Sequence, residues 1–230
     1  MFKKLLFSVN QWLPKQGYLT RPRWLTCFII AFYATSTFLM LASTFPSVAQ
    51  VKEEWVRKYH NDYVNSDDQA LAMVADKLGN IYVTGSSENS KNGLFEYVTI
   101  KYDKDGNQKW LQRYEGGGYW PSMQVDEAGN IYIAGVRRKA NSGSEDYITV
   151  KFDSEGNKKW TRYYDSGGWD VAKSLAVDKA GNVYVTGVHH TSLDSYGNNY
   201  VTIKYDREGN QLWIKRKVGA SAESIGVDEL

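Results

Sequence analysis

The chain has 230 residues, a formal net charge of +2, 42% hydrophobic and 14% aromatic residues, 20 glycines and one cysteine, a globular composition that excludes disordered and collagen-like classes. Five of its 28 basic residues (Lys3, Lys4, Lys15, Arg21, Arg23) and none of its 26 acidic ones lie in residues 1–50. Residues 51–230 therefore carry 23 basic against 26 acidic residues, a net of −3. The excess of positive charge belongs to the leader, which argues against a nucleic-acid-binding face.

Trp24 to Ser43 is an apolar run of about twenty residues without charge, preceded by a basic stretch and followed by Ser47-Val48-Ala49. These are the parts of a secretory signal peptide, so residues 1–49 are expected to be a leader cleaved after Ala49. The run is also long enough to cross a bilayer, and an uncleaved anchor through residues 24–43 is the alternative. Either way residues 50–230 lie outside the cytoplasm: secreted, periplasmic or in the cell envelope. Cys27 falls inside the apolar run, so the remainder has neither a disulfide nor a thiolate.

Next come internal repeats. Gly79-Asn80-Ile81-Tyr82-Val83-Thr84-Gly85 returns at Gly129–Gly135 and again at Gly181–Gly187, at spacings of 50 and 52 residues. A second signature, Tyr97-Val98-Thr99-Ile100-Lys101-Tyr102-Asp103, returns at Tyr147–Asp153 and Tyr200–Asp206. A third, Gly-Asn-x-x-Trp, ends at Trp110, Trp160 and Trp213. In the first copy these signatures mark four β-type runs, a to d: Ala70–Asp76, Ile81–Ser87, Glu96–Asp103 and Gln108–Glu115. Tight Gly-Asn connectors join a to b and c to d, as in hairpins. The b–c connectors are longer and variable.

Four antiparallel strands repeating at about 50 residues fit the blade of a β-propeller, in which blades stack around an axis to bury their faces. The D-x-x-G-N-[IV]-Y-[VI]-x-G and D-Y-[VI]-T-[IV]-K-[YF]-D runs resemble the SBBP-type β-propeller repeat of bacterial extracytoplasmic proteins. The resemblance covers most of residues 53–230. It implies a repeat scaffold and brings no catalytic residues with it.

The expected organisation is all-β. Glu54–Tyr59 matches strand d, so a lone strand is expected over residues 53–60. Blades follow at about 68–116, 120–166 and 170–218, with a partial strand a at 222–229. That is roughly three and a half blades, an incomplete ring. Three readings stay open: a truncated copy of a longer propeller, partial rings that self-associate to complete one, and an open minimal domain.

The recurrence of Trp110, Trp160 and Trp213, with Trp55 as a fourth, points to packing between blades. Asp103-x-x-Gly106-x-x-x-Trp110 is similar to the tryptophan-docking motif of quinoprotein propellers, but it is one residue shorter and lacks the Thr before Gly. Asp103–Asn107 and its equivalents resemble the start of a calcium loop, yet they lack the distal Glu and have the residues a hairpin turn wants. His189 and His190 are adjacent, so in a strand they point to opposite faces. No metal, cofactor or catalytic residue is assigned. Gly116-Gly117-Gly118 reads as a flexible inter-blade loop. The d–a connectors carry Tyr63, Tyr119, Trp120 and Trp169, which form a rim that binds a protein or glycan on one reading; on the other, Trp120 and Trp169 tuck between blades. The chain is thus read as an exported, non-enzymatic interaction scaffold that binds no nucleic acid. The contrasting reading is a hydrolase, lyase or quinoprotein-like oxidoreductase drawing on the recurring carboxylates Asp76, Asp126, Asp178, Asp103, Asp153 and Asp206.

Overall fold

A computed structural model describes residues 54–61, 67–89, 94–118, 121–138, 144–190, 199–219 and 222–228. The leader expected at residues 1–49, with Cys27, lies outside them. Among the described residues there is no helix, and Trp55–Leu230 forms one compact unit.

Twelve strands make three four-stranded antiparallel sheets, each in simple chain order. The first holds β1 (Asp68–Ala75), β2 (Ile81–Asn89), β3 (Leu94–Tyr102) and β4 (Gln108–Glu115). The second holds β5 (Ser122–Val125), β6 (Ile131–Arg138), β7 (Glu145–Phe152) and β8 (Lys158–Tyr164). The third holds β9 (Trp169–Val177), β10 (Val183–His190), β11 (Asn199–Tyr205) and β12 (Gln211–Lys217). Each sheet is a blade with strands a to d in order, as the repeat predicts. Strand β5 is short because Pro121, which has no N–H to give to a ladder, stands before it.

The blades stack face to face: β9 packs on β5, β6 and β7, and β5 packs on β1. Strand β6, in the central sheet, is buried on both faces over its first six residues, so Ile131 and Ile133 are as hidden as Tyr132, Ala134 and Val136. Strand β12, at the outer edge of the last blade, is exposed at every residue but Ile214. Burial therefore follows position in the stack more than the alternation of side chains.

Two glycine positions let neighbouring blades approach. Gly135 on β6 receives Tyr97 of the preceding blade, whose hydroxyl would lie 2.4 Å from a Cβ there; Gly187 on β10 receives Tyr147 at 2.7 Å. The backbone N–H of Val136 donates to the Tyr97 hydroxyl (3.0 Å), and the Tyr147 hydroxyl donates to the carbonyl of Val188 (3.3 Å). In each c–d turn a glycine at positive φ takes the indole of the preceding blade. Trp110 lies against Gly156 and Trp160 against Gly209, and a Cβ at either glycine would meet the ring at 2.8 Å.

Three expectations need correction. Residues 54–61 form no ladder strand, although Trp55 seats on Gly106 as a d-strand tryptophan does. Residues 222–228 likewise form no ladder, although the Ile225 N–H donates to Ser174 Oγ (3.2 Å) much as the Leu175 N–H donates to Ser122 Oγ (3.1 Å). Both segments take up inter-blade contacts but have no described neighbouring strand of their own blade to pair with. Gly116–Gly118 is a packing element rather than a loose loop. A Cβ would meet the Tyr97 ring at 2.4 Å from Gly116, the Phe95 backbone at 2.5 Å from Gly117 and Val136 at 2.9 Å from Gly118.

Candidate functional site

The stack has two rims, and they differ in how faithfully they repeat. One carries the a–b and c–d turns. In each of the six, the Asp N–H donates to the Asn carbonyl and the Gly N–H donates to the Asp carbonyl, at 2.9 to 3.1 Å. In the first, Asp76 Oδ1 accepts the N–H groups of Leu78 and Asn80 (both 2.9 Å), while Oδ2 accepts the Asn80 amide (2.7 Å) and the Tyr82 hydroxyl (3.1 Å). Asp126 and Asp178 take the same Asn and Tyr donors. Asp103, Asp153 and Asp206 take those of Asn107, Asn157 and Asn210. All six recurring carboxylates, the ones most open to a catalytic or calcium role from sequence, are thus engaged in closing turns.

The other rim carries the d–a and b–c connectors, and here the register exposes a row of aligned positions that changes from blade to blade. Asp68 pairs with Ser87, Ser87 with Glu96 and Glu96 with Glu115 in the first sheet. Arg137 pairs with Asp146 in the second. Asp170 pairs with His189 and His189 with Asn199 in the third.

Around the second blade, and reaching into both neighbours, this row becomes an ionisable cluster. Arg137 donates to Asp146 (3.0 Å), lies 3.6 Å from Glu115 and sits 4.1 Å above the Tyr163 ring. Tyr163 in turn donates to Glu115. Burial alone would weaken the Arg137 charge, but the bond to Asp146 and the nearby Glu115 hold it above its ordinary value. Asp170 is fully buried and accepts the backbone N–H of Ser166 (2.6 Å) and its hydroxyl (2.7 Å). Burial nevertheless raises the Asp170 carboxyl above the usual carboxylate range, against the pull of Ser166 and His189. One oxygen from each of Asp146, Asp165 and Asp170 lies within 4.8 Å of the others. Such acidic groups are common without an ion, and Arg137 already neutralises Asp146.

Of the aromatics expected at this rim, Tyr63, Tyr119 and Trp120 lie outside the described residues. Trp169 is the first residue of β9 rather than part of a connector. It pairs with His190 and is 59% exposed, so it does not tuck between blades. His189 is buried and His190 half-buried, on opposite faces as the strand period requires.

The inter-blade tryptophans form a graded set. Trp55, Trp110 and Trp160 stack on Tyr102, Phe152 and Tyr205 of the next blade, at 5.9, 6.3 and 6.2 Å between ring centres. Trp160 is 8% exposed and Trp213, with no described blade beyond it, 36%.

Comparison with known proteins bears on this junction. Residues 159–188 match the SBBP β-propeller repeat family. The matched SBBP segment runs from β8 through β9 into β10, so it spans the boundary between two blades. It contains Trp160, Asp165, Trp169, Asp170 and the Asp178–Asn182 turn. The match agrees with the resemblance read from the three recurring signatures, and the three four-stranded antiparallel sheets are consistent with propeller blades. No curated protein matches the chain. Among solved structures, a protein of unknown function from Bacteroides caccae is similar at 15% identity over 64% of this chain, with a TM-score of 0.38. The chain spans 46% of that protein's length.

The Arg137–Asp146–Asp170–His189 cluster was not among the residues expected from sequence. Its signal was available as departure from the repeat: Ser87, Arg137 and His189 stand at one aligned position and share no chemistry.

Proposed function

We propose that this chain is an exported, non-enzymatic SBBP-repeat scaffold that binds a protein or glycan partner on its variable rim. The observation that carries the reading is the contrast between the rims. The turn rim repeats its residues in every blade because each turn needs them, whereas the aligned row at the other rim is free to differ and does. Trp169 adds a large exposed ring to that rim. The apolar leader supports export, either by cleavage after Ala49 or as an anchor.

Titration of intrinsic tryptophan fluorescence with a panel of oligosaccharides and of acidic and basic test proteins examines the reading. Saturable quenching is expected in the wild-type chain and is lost in Trp169→Ala. Absence of a saturable response to every member of the panel, from protein with a native circular dichroism spectrum, overturns it. The competing reading, a propeller enzyme, draws on Asp170 and His189, a buried carboxyl and imidazole on neighbouring strands. Hydrolase, lyase or oxidase turnover that disappears in His189→Ala favours it.

A further inference from the structure

The four recurring tryptophans are copies of one key, and three of them have a lock. The Nε1–H of Trp55 donates to the carbonyl of Lys104 (3.3 Å), that of Trp110 to Ser154 (3.1 Å) and that of Trp160 to Arg207 (3.1 Å). Each ring covers the turn glycine two residues further on, at Gly106, Gly156 or Gly209. Two residues after the key, Arg57 and Arg162 add a bond from Nε to the carbonyl of that glycine, at 2.7 and 2.5 Å. Trp213 is the fourth key. Its ring partner is Tyr184 of its own blade, and its indole N–H meets no acceptor among the described residues. Leu212 beside it is 53% exposed, and Lys215 stands at the position of Arg57 and Arg162 with an N–H donor of its own.

The first blade is the complementary end. Its lock at Gly106 is held by Trp55–Tyr59, a segment without a ladder. Beside that segment a groove lies open on the same face, lined by Tyr59, Val83, Gly85, Val98 and Ile100. At the equivalent glycines of the next two blades, Gly135 and Gly187, this place receives Tyr97 and Tyr147. The residue at that repeat position in the last blade is Tyr200, half-buried at the start of β11.

We infer that the outer face of the third blade docks on the first blade of a second copy of this chain, Trp213 entering the Gly106 lock in place of Trp55 and Tyr200 the Gly85 groove. The interface is the one the chain already builds twice between its own blades, continued between molecules. Trp55–Tyr59 then acts as a displaceable cap at one end, holding the lock through a tryptophan seat and an arginine bond, where Trp110 and Trp160 are held by full β-ladders as well. At the other end residues 222–228 must move aside, because Ile225 donates to Ser174 Oγ in the place that β1 of the second copy takes. A contact of this kind is head-to-tail, so it closes into a ring or extends as a filament.

The test is light-scattering mass after size exclusion of the full-length chain, purified as the host delivers it and held in mild detergent so that either fate of residues 24–43 is tolerated. Trp55→Ala, and more weakly Arg57→Ala, are expected to raise the mass to two chains or more. Adding Trp213→Ala to either returns it to one chain, and adding Tyr200→Ala shifts it in the same direction. If the wild-type chain itself associates, Trp213→Ala must dissociate it. The inference is overturned if folded Trp55→Ala and Arg57→Ala keep the single-chain mass, or if association survives Trp213→Ala. It is overturned equally if both cap variants lose their fold, since the segment is then part of the first blade and not displaceable.

Discussion

Trp160 lies across Gly209 of the following blade, so close that a Cβ on the glycine would sit 2.8 Å from the indole. Gly209 also has φ +84°, a conformation that side chains resist. Gly167 has nearly the same φ, +86°, but nothing within 4 Å. The pair separates backbone strain from loss of the seat. Gly167→Ala is expected to cost about 1 kcal/mol through strain alone. Gly209→Ala should cost roughly 3 kcal/mol, because the indole must also move. Urea midpoints of the two variants check this, and equal losses would remove the seat from the account.

Tyr97 bridges two blades through a single buried hydroxyl, which accepts the Val136 N–H at 3.0 Å. Tyr97→Phe keeps the ring and orphans that N–H, so a loss of about 1–3 kcal/mol is expected. Tyr200→Phe, at the same repeat position where no described blade follows, should leave the melting temperature of the isolated molecule unchanged. Thermal unfolding of the two variants side by side is the measurement.

Two groups of carboxylates set opposite pH dependences. For Asp76, burial pushes the carboxyl up, but the Asn80 amide, the backbone N–H groups and the Tyr82 hydroxyl outweigh it and hold it below its ordinary value of 3.8. Its folded state therefore binds fewer protons than the unfolded state, and this contribution is present above about 3.8 and lost as pH falls through the lower folded value. Asp170 has the reverse sign. Burial raises its carboxyl, so its contribution is full below about 3.8 and declines as pH rises through the folded value. Relative to wild type, Asp76→Asn should lose stability on going from acid to neutral pH, and Asp170→Asn should gain it. Denaturant midpoints of both variants against wild type, at pH 3 to 7, give the two slopes.

The turn residues and the strand runs were legible because they answer local demands. An Asp two and four residues before backbone N–H groups, with a Gly at positive φ between, closes a hairpin wherever it stands, and Asp76–Asn80 and Asp206–Asn210 do so alike. The packing role of Trp110 and Trp160 was also readable, from recurrence alone. Residues 54–61 and 222–228 misled for a related reason. They carry the side chains of strands d and a, but a ladder needs a neighbouring strand, and a sequence match to one strand says nothing about its partner.

The sequence by itself determined the repeat, its four strands per blade, its turn chemistry and the distribution of charge between leader and body, all of which follow from local propensity and period. Only the tertiary structure decided which residues meet across blades. Gly135 and Tyr97, Asp146 and Asp170, or Trp160 and Gly209 are brought together by stacking one sheet on the next. That stacking also hides the central strand β6 on both faces and leaves β12 open, although their blades repeat one pattern. Burial depends on what covers a face, and in a stack of like units that is settled by the neighbour rather than by the unit itself.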